Sequence, residues 1–158
     1  MSENPDMFET ENTPKDDVKS QKRERFGINV DLRNYIKEFK EDNKITTENL
    51  YEKALMVGSI RAKWLEYYKV EEDNLKLAKQ KRDILMNKLS SSRGNNVSVL
   101  AKKNKDRISE TDDTIKLLDE IIENIKNNID YILRAMDILS TMNYSVSNAK
   151  DLLIKMRS

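Results

Sequence analysis

The chain of 158 residues contains no histidine and no cysteine. Histidine is the commonest general base and transition-metal ligand in proteins, so its absence removes many catalytic and metal-binding mechanisms. Without cysteine the chain forms no disulfide and has no thiolate chemistry, which is typical of a reducing compartment. Three glycines and two prolines supply little turn chemistry, which disfavours a fold of many short strands. These absences favour a protein that binds or assembles over an enzyme.

Other signatures of catalysis or membrane insertion are also missing from the sequence. No glycine-rich phosphate loop, Walker-type ending or calcium-loop spacing occurs. No apolar run is long enough to span a bilayer, and the N-terminus lacks the basic-then-apolar pattern of a signal peptide. We therefore expect no catalytic residue, no cofactor, no metal site and no membrane contact.

Two stretches show the apolar periodicity of long α-helices. Between residues 108 and 139 apolar residues recur in alternating steps of three and four, and a weaker pattern of the same kind covers residues 50–89. Thr46 or Thr47 is suited to cap the second pattern, which contains the only tryptophan, Trp64. We interpret Trp64 as an anchor of the helix contact, with base stacking as the alternative. Complementary apolar stripes on two helices predict an antiparallel helical hairpin.

The stripe on residues 108–139 is wider than that of a two-stranded zipper. Four further apolar residues flank it, namely Leu117, Ile121, Leu133 and Ile138. A helix with so wide an apolar face needs a partner, which is either the other long helix or a second copy of the chain.

Shorter elements are predicted around the hairpin. Residues 30–42 form an amphipathic pattern with Asp31 as a candidate N-cap. Residues 90–96 hold three serines, a glycine and two asparagines, which predicts a break, and Ser109 or Thr111 is a candidate cap for the next helix. Residues 143–146 are predicted to end that helix, after which Ser147 starts a last one of about three turns. This last helix needs a docking surface, on its own domain or on a neighbouring subunit.

The fold class expected is all-α, a long hairpin of two antiparallel helices with short N-terminal and C-terminal helices and a disordered N-terminal arm. The predicted division is an arm over residues 1–28 and a single helical domain over residues 29–158. The arm is acidic up to Asp17, and a basic cluster follows at Lys19, Lys22, Arg23 and Arg25. It is either a solvated tail or a competitor of nucleic acid for the basic surface described next.

The net charge of +1 hides an uneven distribution. Residues 76–107 contain ten lysines and arginines against two aspartates, whereas residues 110–137 have a net charge of −5. The cations surround the predicted break, at the tip of the hairpin, where they are suited to phosphates, although an ordinary solvated charge run is the alternative. The candidate nucleic-acid-binding residues are Lys79, Lys81, Arg82, Lys88, Arg93, Lys102, Lys103, Lys105 and Arg107.

The mode of binding expected is contact with the backbone of single-stranded DNA. No recognition-helix motif, zinc-finger spacing or basic zipper is visible. Aromatic residues are scarce near the basic segment, so base stacking is expected to be a minor contribution beside counterion release.

Several short segments, taken in order, resemble the UvsY family of recombination mediators from T4-like bacteriophages. They are Ile45-Thr46-Thr47 leading to Leu50 and Ala54, Lys63-Trp64-Leu65, residues 85–94, the helix over residues 118–139, and the ending from Met142 to Ala149. The resemblance covers residues 30–157. The family often has two tyrosines in the turn where Ser90, Ser91 and Ser92 stand here, so a stacking role is not carried over.

The resemblance implies a non-enzymatic protein of the host cytoplasm that binds single-stranded DNA and assembles into rings of six or seven. It implies two protein partners, a phage recombinase and the phage single-strand-binding protein that the recombinase must displace. The family's DNA-contacting segment falls on Lys81, Arg82, Lys88 and Arg93. Its assembly helix falls on Leu152, Leu153, Ile154 and Met156, which favours a neighbouring subunit as the docking surface. The alternative is a coiled-coil structural or adaptor protein without DNA affinity, dimeric or trimeric through residues 108–139.

Overall fold

The computed structural model describes Phe26, Ile28, residues 31–93 and residues 101–158, except for the side chains of Arg93 and of residues 101–104. Within these residues the chain forms three α-helices and no strand: α1 (Leu32–Asp42), α2 (Leu50–Arg93) and α3 (Ala101–Arg157). At about 1.5 Å per residue, α2 is about 65 Å long and α3 about 85 Å. None of these described helices has an apolar stretch fit to cross a membrane. The remainder of the predicted arm lies outside the described residues.

The two long helices pack antiparallel along their length. Trp64 shares a core cluster with Ile132, and Glu71 accepts a hydrogen bond from Asn128. Further along α2, Arg82 pairs with Asp119. Positions later in α2 thus meet positions earlier in α3, as antiparallel packing requires. The predicted all-α hairpin with a short N-terminal helix is confirmed.

The core consists of two clusters, one near each end of the hairpin. The first centres on Trp64 and holds α1 against the long helices through Tyr35 and Phe39. The second lies nearer the turn, where Ala78 meets isoleucines and a leucine of α3, and Ile28 completes it with 1% exposure. Burial of these apolar side chains stabilises the hairpin, because a long helix is otherwise marginal in water.

Side chains cap α1 and the turn before α2 as the sequence predicts. Asp31 Oδ1 accepts a hydrogen bond from the Arg33 amide at 3.0 Å. Thr46 and Asn49 exchange two bonds in the manner of a capping box, from the Thr46 amide to Asn49 Oδ1 and from the Asn49 amide to Thr46 Oγ1. Thr46 is therefore the capping threonine of the predicted pair.

Trp64 is the core anchor that the sequence predicts. Its side chain is fully buried, and Nε1 donates a hydrogen bond to Asp42 Oδ2 at 2.8 Å. The Phe39 and Tyr67 rings contact it edge-on, with centroids 5.8 and 5.7 Å away. Since the indole is enclosed on all sides, base stacking by Trp64 is excluded.

The helix break predicted to start at Ser90 is wrong in its starting point, because Ser90, Ser91 and Ser92 are still helical. α2 continues to Arg93 because each serine hydroxyl donates back to the carbonyl four residues earlier, as Ser91 Oγ does to Asn87 O at 3.0 Å. Ser90 and Ser92 do the same. These local bonds let serine stay helical instead of competing with the helix. Residues 94–96 lie outside the described residues.

α3 is longer than predicted at both ends. It begins at Ala101, and Thr111 donates to the Arg107 carbonyl inside the helix, so neither Ser109 nor Thr111 is a cap. It also continues through residues 143–146, so the separate C-terminal helix starting at Ser147 is wrong. The reason is burial, since Val146 packs in the same cluster as Leu50 at the start of α2.

The apolar stripe of α3 is narrower than predicted. Ile121 is fully buried and Leu117 packs at the edge of the second cluster, whereas Leu133 and Ile138 are each 46% exposed. α2, together with α1 at the first cluster, covers the centre of the stripe and leaves part of its flanks open to solvent.

A buried polar contact joins all three helices between the two clusters. Glu71, at 1% exposure, accepts hydrogen bonds at Oε1 from the Tyr35 hydroxyl at 2.8 Å and from Asn128 Nδ2 at 3.2 Å. Its other oxygen, Oε2, is buried and has no hydrogen-bond partner within the described part of the chain. Burial, and then the bond donated to Glu71, raise the pKa of the Tyr35 phenol above its ordinary value.

Candidate nucleic-acid interface

The end of α2 and the start of α3 form one groove, because antiparallel packing brings them to the same end of the hairpin. The groove has a volume of about 730 Å³. Among the side chains that the structure describes, two cations line it, Lys88 and Arg107, which are exposed and come from different helices. Glu110 is the one anion among these described lining residues. The remaining lining residues are Ile84, Asn87, Leu89, Ser91, Ser92, Ile108 and Thr111.

Charge, rather than hydroxyl groups, would hold a phosphate in this groove. The hydroxyls of Ser91, Ser92 and Thr111 donate to carbonyls of their own helices. A phosphate oxygen would have to displace these bonds to use the same donors. The side chains of Lys88 and Arg107 can instead donate charge-assisted hydrogen bonds, which are the stronger kind.

Lys81, a predicted DNA contact, binds a segment of its own chain. Its Nζ donates to the Phe26 carbonyl at 3.0 Å and lies 5.4 Å from the centre of the Phe26 ring. The side chain is half-buried by these contacts. Lys81 therefore anchors the residues that precede α1, a role that the charge pattern did not suggest.

Arg82, a second predicted contact, links the two long helices. Its Nε donates to Asp119 Oδ1, and this hydrogen bond raises the pKa of the Arg82 guanidinium. The two side chains are 34% and 49% exposed, so solvent screens the pair and its contribution to stability is small. Among the predicted site residues whose side chains are described, Arg82 alone pairs with a carboxylate.

The other predicted residues do not converge on the groove. Lys79 is exposed, but it lies nine residues before Lys88 and so points to the opposite face of α2, at about 100° per residue. Lys105 is exposed on the first turns of α3, two residues from Arg107 and therefore on another face. The side chains of Arg93, Lys102 and Lys103 lie outside the described residues. The structure thus brings Lys88 and Arg107 to the same groove. A role in DNA binding for all nine candidate residues stays a prediction.

Sequence reasoning missed the docking of Phe26 and Ile28. The predicted division places Ile28 in the arm, yet this residue is buried against Ala78 and the isoleucines of α3. Two apolar residues spaced by two, just before the Asp31 cap, were the available signal in an otherwise polar segment. The boundary between arm and domain at residues 28 and 29 stays a prediction.

The predicted assembly residues divide into two groups at the end of α3. Leu153 packs against the first core cluster of its own chain. Leu152, Ile154 and Met156 are 61%, 52% and 81% exposed. Large apolar side chains exposed this closely together are typical of an interaction surface.

The family comparison agrees with this geometry. The family model described as "Recombination, repair and ssDNA binding protein UvsY" matches residues 38–156. That stretch begins in α1, includes all of α2 and ends in the last turn of α3. Neither the curated proteins nor the solved structures gave a match. The family match covers well over half of the chain, which therefore belongs to the UvsY family of recombination, repair and single-stranded-DNA-binding proteins.

Proposed function

We propose that this protein is a recombination mediator that acts in the cytoplasm of a phage-infected bacterium. It binds single-stranded DNA at the hairpin tip, assembles into a ring of six or seven subunits, and promotes loading of the phage recombinase. The DNA it acts on is covered by the phage single-strand-binding protein, which the recombinase must displace.

The observation that carries the DNA-binding part is the convergence of Lys88 and Arg107 on one open groove. The family to which the chain belongs is described by single-stranded-DNA binding, and this groove lies within the matched residues. Two cations with one facing carboxylate, Glu110, make a weak phosphate site. A weak site is sufficient when several copies act on one strand, because the second and later contacts are intramolecular.

The test replaces both cations of the groove by glutamine in the full-length protein, as K88Q/R107Q. Affinity for oligo(dT) should fall, and the slope of log K against log salt should become shallower by about 1.4, because each neutralised phosphate contributes about 0.7 to that slope. The matched control is K37Q/K40Q, which removes two exposed lysines from α1 and should leave the slope unchanged. An unchanged slope in the groove variant would place the DNA site elsewhere.

The assembly part of the proposal rests on the exposed apolar residues at the end of α3. Leu152 and Met156 are one turn apart and lie on the same face of the helix. The variant L152E/M156E should reduce the ring to smaller species in sedimentation while leaving helix content unchanged. The control V70E changes an apolar residue of similar exposure in the middle of α2 and should leave the sedimentation coefficient unchanged. Intact rings in the C-terminal variant would contradict this interface.

The mediator step is tested with the recombinase and the single-strand-binding protein present together. Binding of the recombinase to covered DNA should show a lag, and this protein should shorten that lag. The K88Q/R107Q variant should shorten the lag less than the wild type does. If both shorten it equally, recombinase loading does not depend on the groove.

The coiled-coil adaptor is disfavoured by where the seam of α3 lies. Leu118, Ile125, Ile132 and Leu139 are fully buried against the rest of the hairpin in the single chain. The seam is therefore occupied within one subunit and is closed to a second copy.

A further inference from the structure

Phe26 and Ile28, the two described residues before Asp31, lie against α2 on the side of the hairpin tip. Tyr35 bonds to Glu71, Ile28 packs in the core cluster that contains Ala78, and Phe26 bonds to Lys81. The earlier a residue lies in this part of the sequence, the later is the residue of α2 beside which it packs. Phe26 is the nearest of the three to the groove, and Lys88 is seven residues beyond Lys81, or about 10 Å along the helix.

The N-terminal part of the sequence that precedes Phe26 is acidic, whereas the hairpin tip is basic. Residues 1–17 contain six acidic side chains against the single cation Lys15. A shorter basic segment, residues 18–25, separates them from Phe26. Asp17 is nine residues from Phe26, so the tether can reach up to about 30 Å, three times the distance from Lys81 to Lys88.

We propose that residues 1–17 of each chain bind the basic tip of the same chain as an internal competitor of DNA. Their carboxylates take the place of phosphates against Lys88 and the neighbouring cations. The contacts of Phe26 and Ile28 with the hairpin keep the acidic residues close enough for this at every protein concentration. The effect on DNA binding rests on the proposed function, whereas the position of the arm does not.

The expected inhibition is moderate because the contact is electrostatic and is made through a tether. A short tether gives an effective concentration in the millimolar range. At about 4 mM, a segment that binds the tip with a dissociation constant of about 1 mM weakens DNA binding by about fivefold, since the factor is one plus the ratio of the two. Salt screens carboxylates from the tip, so this inhibition should diminish as the ionic strength rises.

The first experiment measures oligo(dT) affinity in a full-length variant with the six arm acids neutralised, E3Q/D6N/E9Q/E11Q/D16N/D17N. It should bind about fivefold more tightly than wild type at low salt, and the difference should disappear at high salt. The control S2A/N4A/T10A/N12A/T13A changes polar residues of the same segment without altering charge and should bind as wild type does. Equal affinity of the neutralised variant and wild type at low salt would overturn the inhibition.

The second experiment locates the arm without using DNA binding as the readout. A carbodiimide joins carboxylates to lysines in direct contact, and mass spectrometry of mixed light and ¹⁵N-labelled protein separates links within a chain from links between chains. Links from the arm acids to Lys88 or Lys105 within one chain support the proposal. Links only to Lys19 or Lys22, only to α1, or only between chains overturn it.

A further variant tests whether the contact between Phe26 and Lys81 keeps the arm near the tip. Phe26→Ala removes the ring that lies against Lys81 but keeps the backbone carbonyl, and it should reduce the links to the tip. Phe8→Ala is the matched control in the arm and should leave them unchanged. If links to the tip form while no variant binds DNA, the proposed function fails and the position of the arm stands. If DNA binds and the links are absent, the arm proposal alone fails.

Discussion

The buried Glu71 contact leads to a prediction about stability that distinguishes the hydrogen bonds from the apolar packing around them. Replacing Tyr35 by phenylalanine and Asn128 by alanine removes both donors to Oε1 and leaves the carboxyl group buried without partners. At about 1–3 kcal/mol for each of the two hydrogen bonds, Y35F/N128A should lower the free energy of unfolding by about 2–6 kcal/mol. Adding Glu71→Met to this double variant should then restore at least about 1 kcal/mol, because an apolar side chain needs no donor.

The measurement is urea unfolding followed by far-ultraviolet circular dichroism at one fixed protein concentration. Fixing the concentration matters because assembly also shifts apparent stability. Asn127→Ala, at the exposed neighbouring position, is the control and should change the free energy by less than about 0.5 kcal/mol. A triple variant less stable than the double variant would refute the reasoning, since the carboxyl group would then be favourable even without its donors.

Two further predictions concern the aromatic cluster around α1. Trp64→Ala should lower the free energy of unfolding by about 3–5 kcal/mol in the same assay, because it leaves a cavity among Tyr35, Phe39 and Tyr67. A loss below about 1 kcal/mol would contradict the core role of Trp64. The pKa of Tyr35 is raised in the folded protein, whereas in the unfolded chain Tyr35 ionises near its ordinary pKa of about 10. The resulting stabilisation is complete below about pH 10 and is lost as the pH rises further, because ionisation then favours the unfolded chain. Between about pH 9 and pH 11 the wild type should therefore lose more unfolding free energy than Y35F, and equal losses would show that Tyr35 does not contribute.

Much of the hairpin could be predicted from the sequence because its information is local and periodic. The spacing of apolar residues identifies both long helices, and the Asp31 and Thr46 caps follow from side chains that bond to nearby amides. The continuation of α3 past residue 143 could not be predicted in this way. It depends on Val146 packing in the same core cluster as Leu50, a residue almost a hundred positions away in sequence.

The candidate site was predictable in charge but not in geometry. The concentration of cations around residues 76–107 is visible in the sequence, and it includes Lys88 and Arg107. Which cations remain available depends on the register of α2 against α3, since that register places Asp119 beside Arg82. It also depends on the position of Phe26, whose carbonyl accepts a hydrogen bond from Lys81.

The salt dependence of oligo(dT) binding by the wild-type protein tests most directly whether the cations of the hairpin tip bind single-stranded DNA electrostatically. If each subunit neutralises about four phosphates, the slope of log K against log salt is about −3, and affinity falls roughly fifty-fold between about 50 and 200 mM salt. We predict that result, with weaker binding to a duplex of the same length. Affinity that is indifferent to salt, or no affinity for oligo(dT) at low ionic strength, would contradict it.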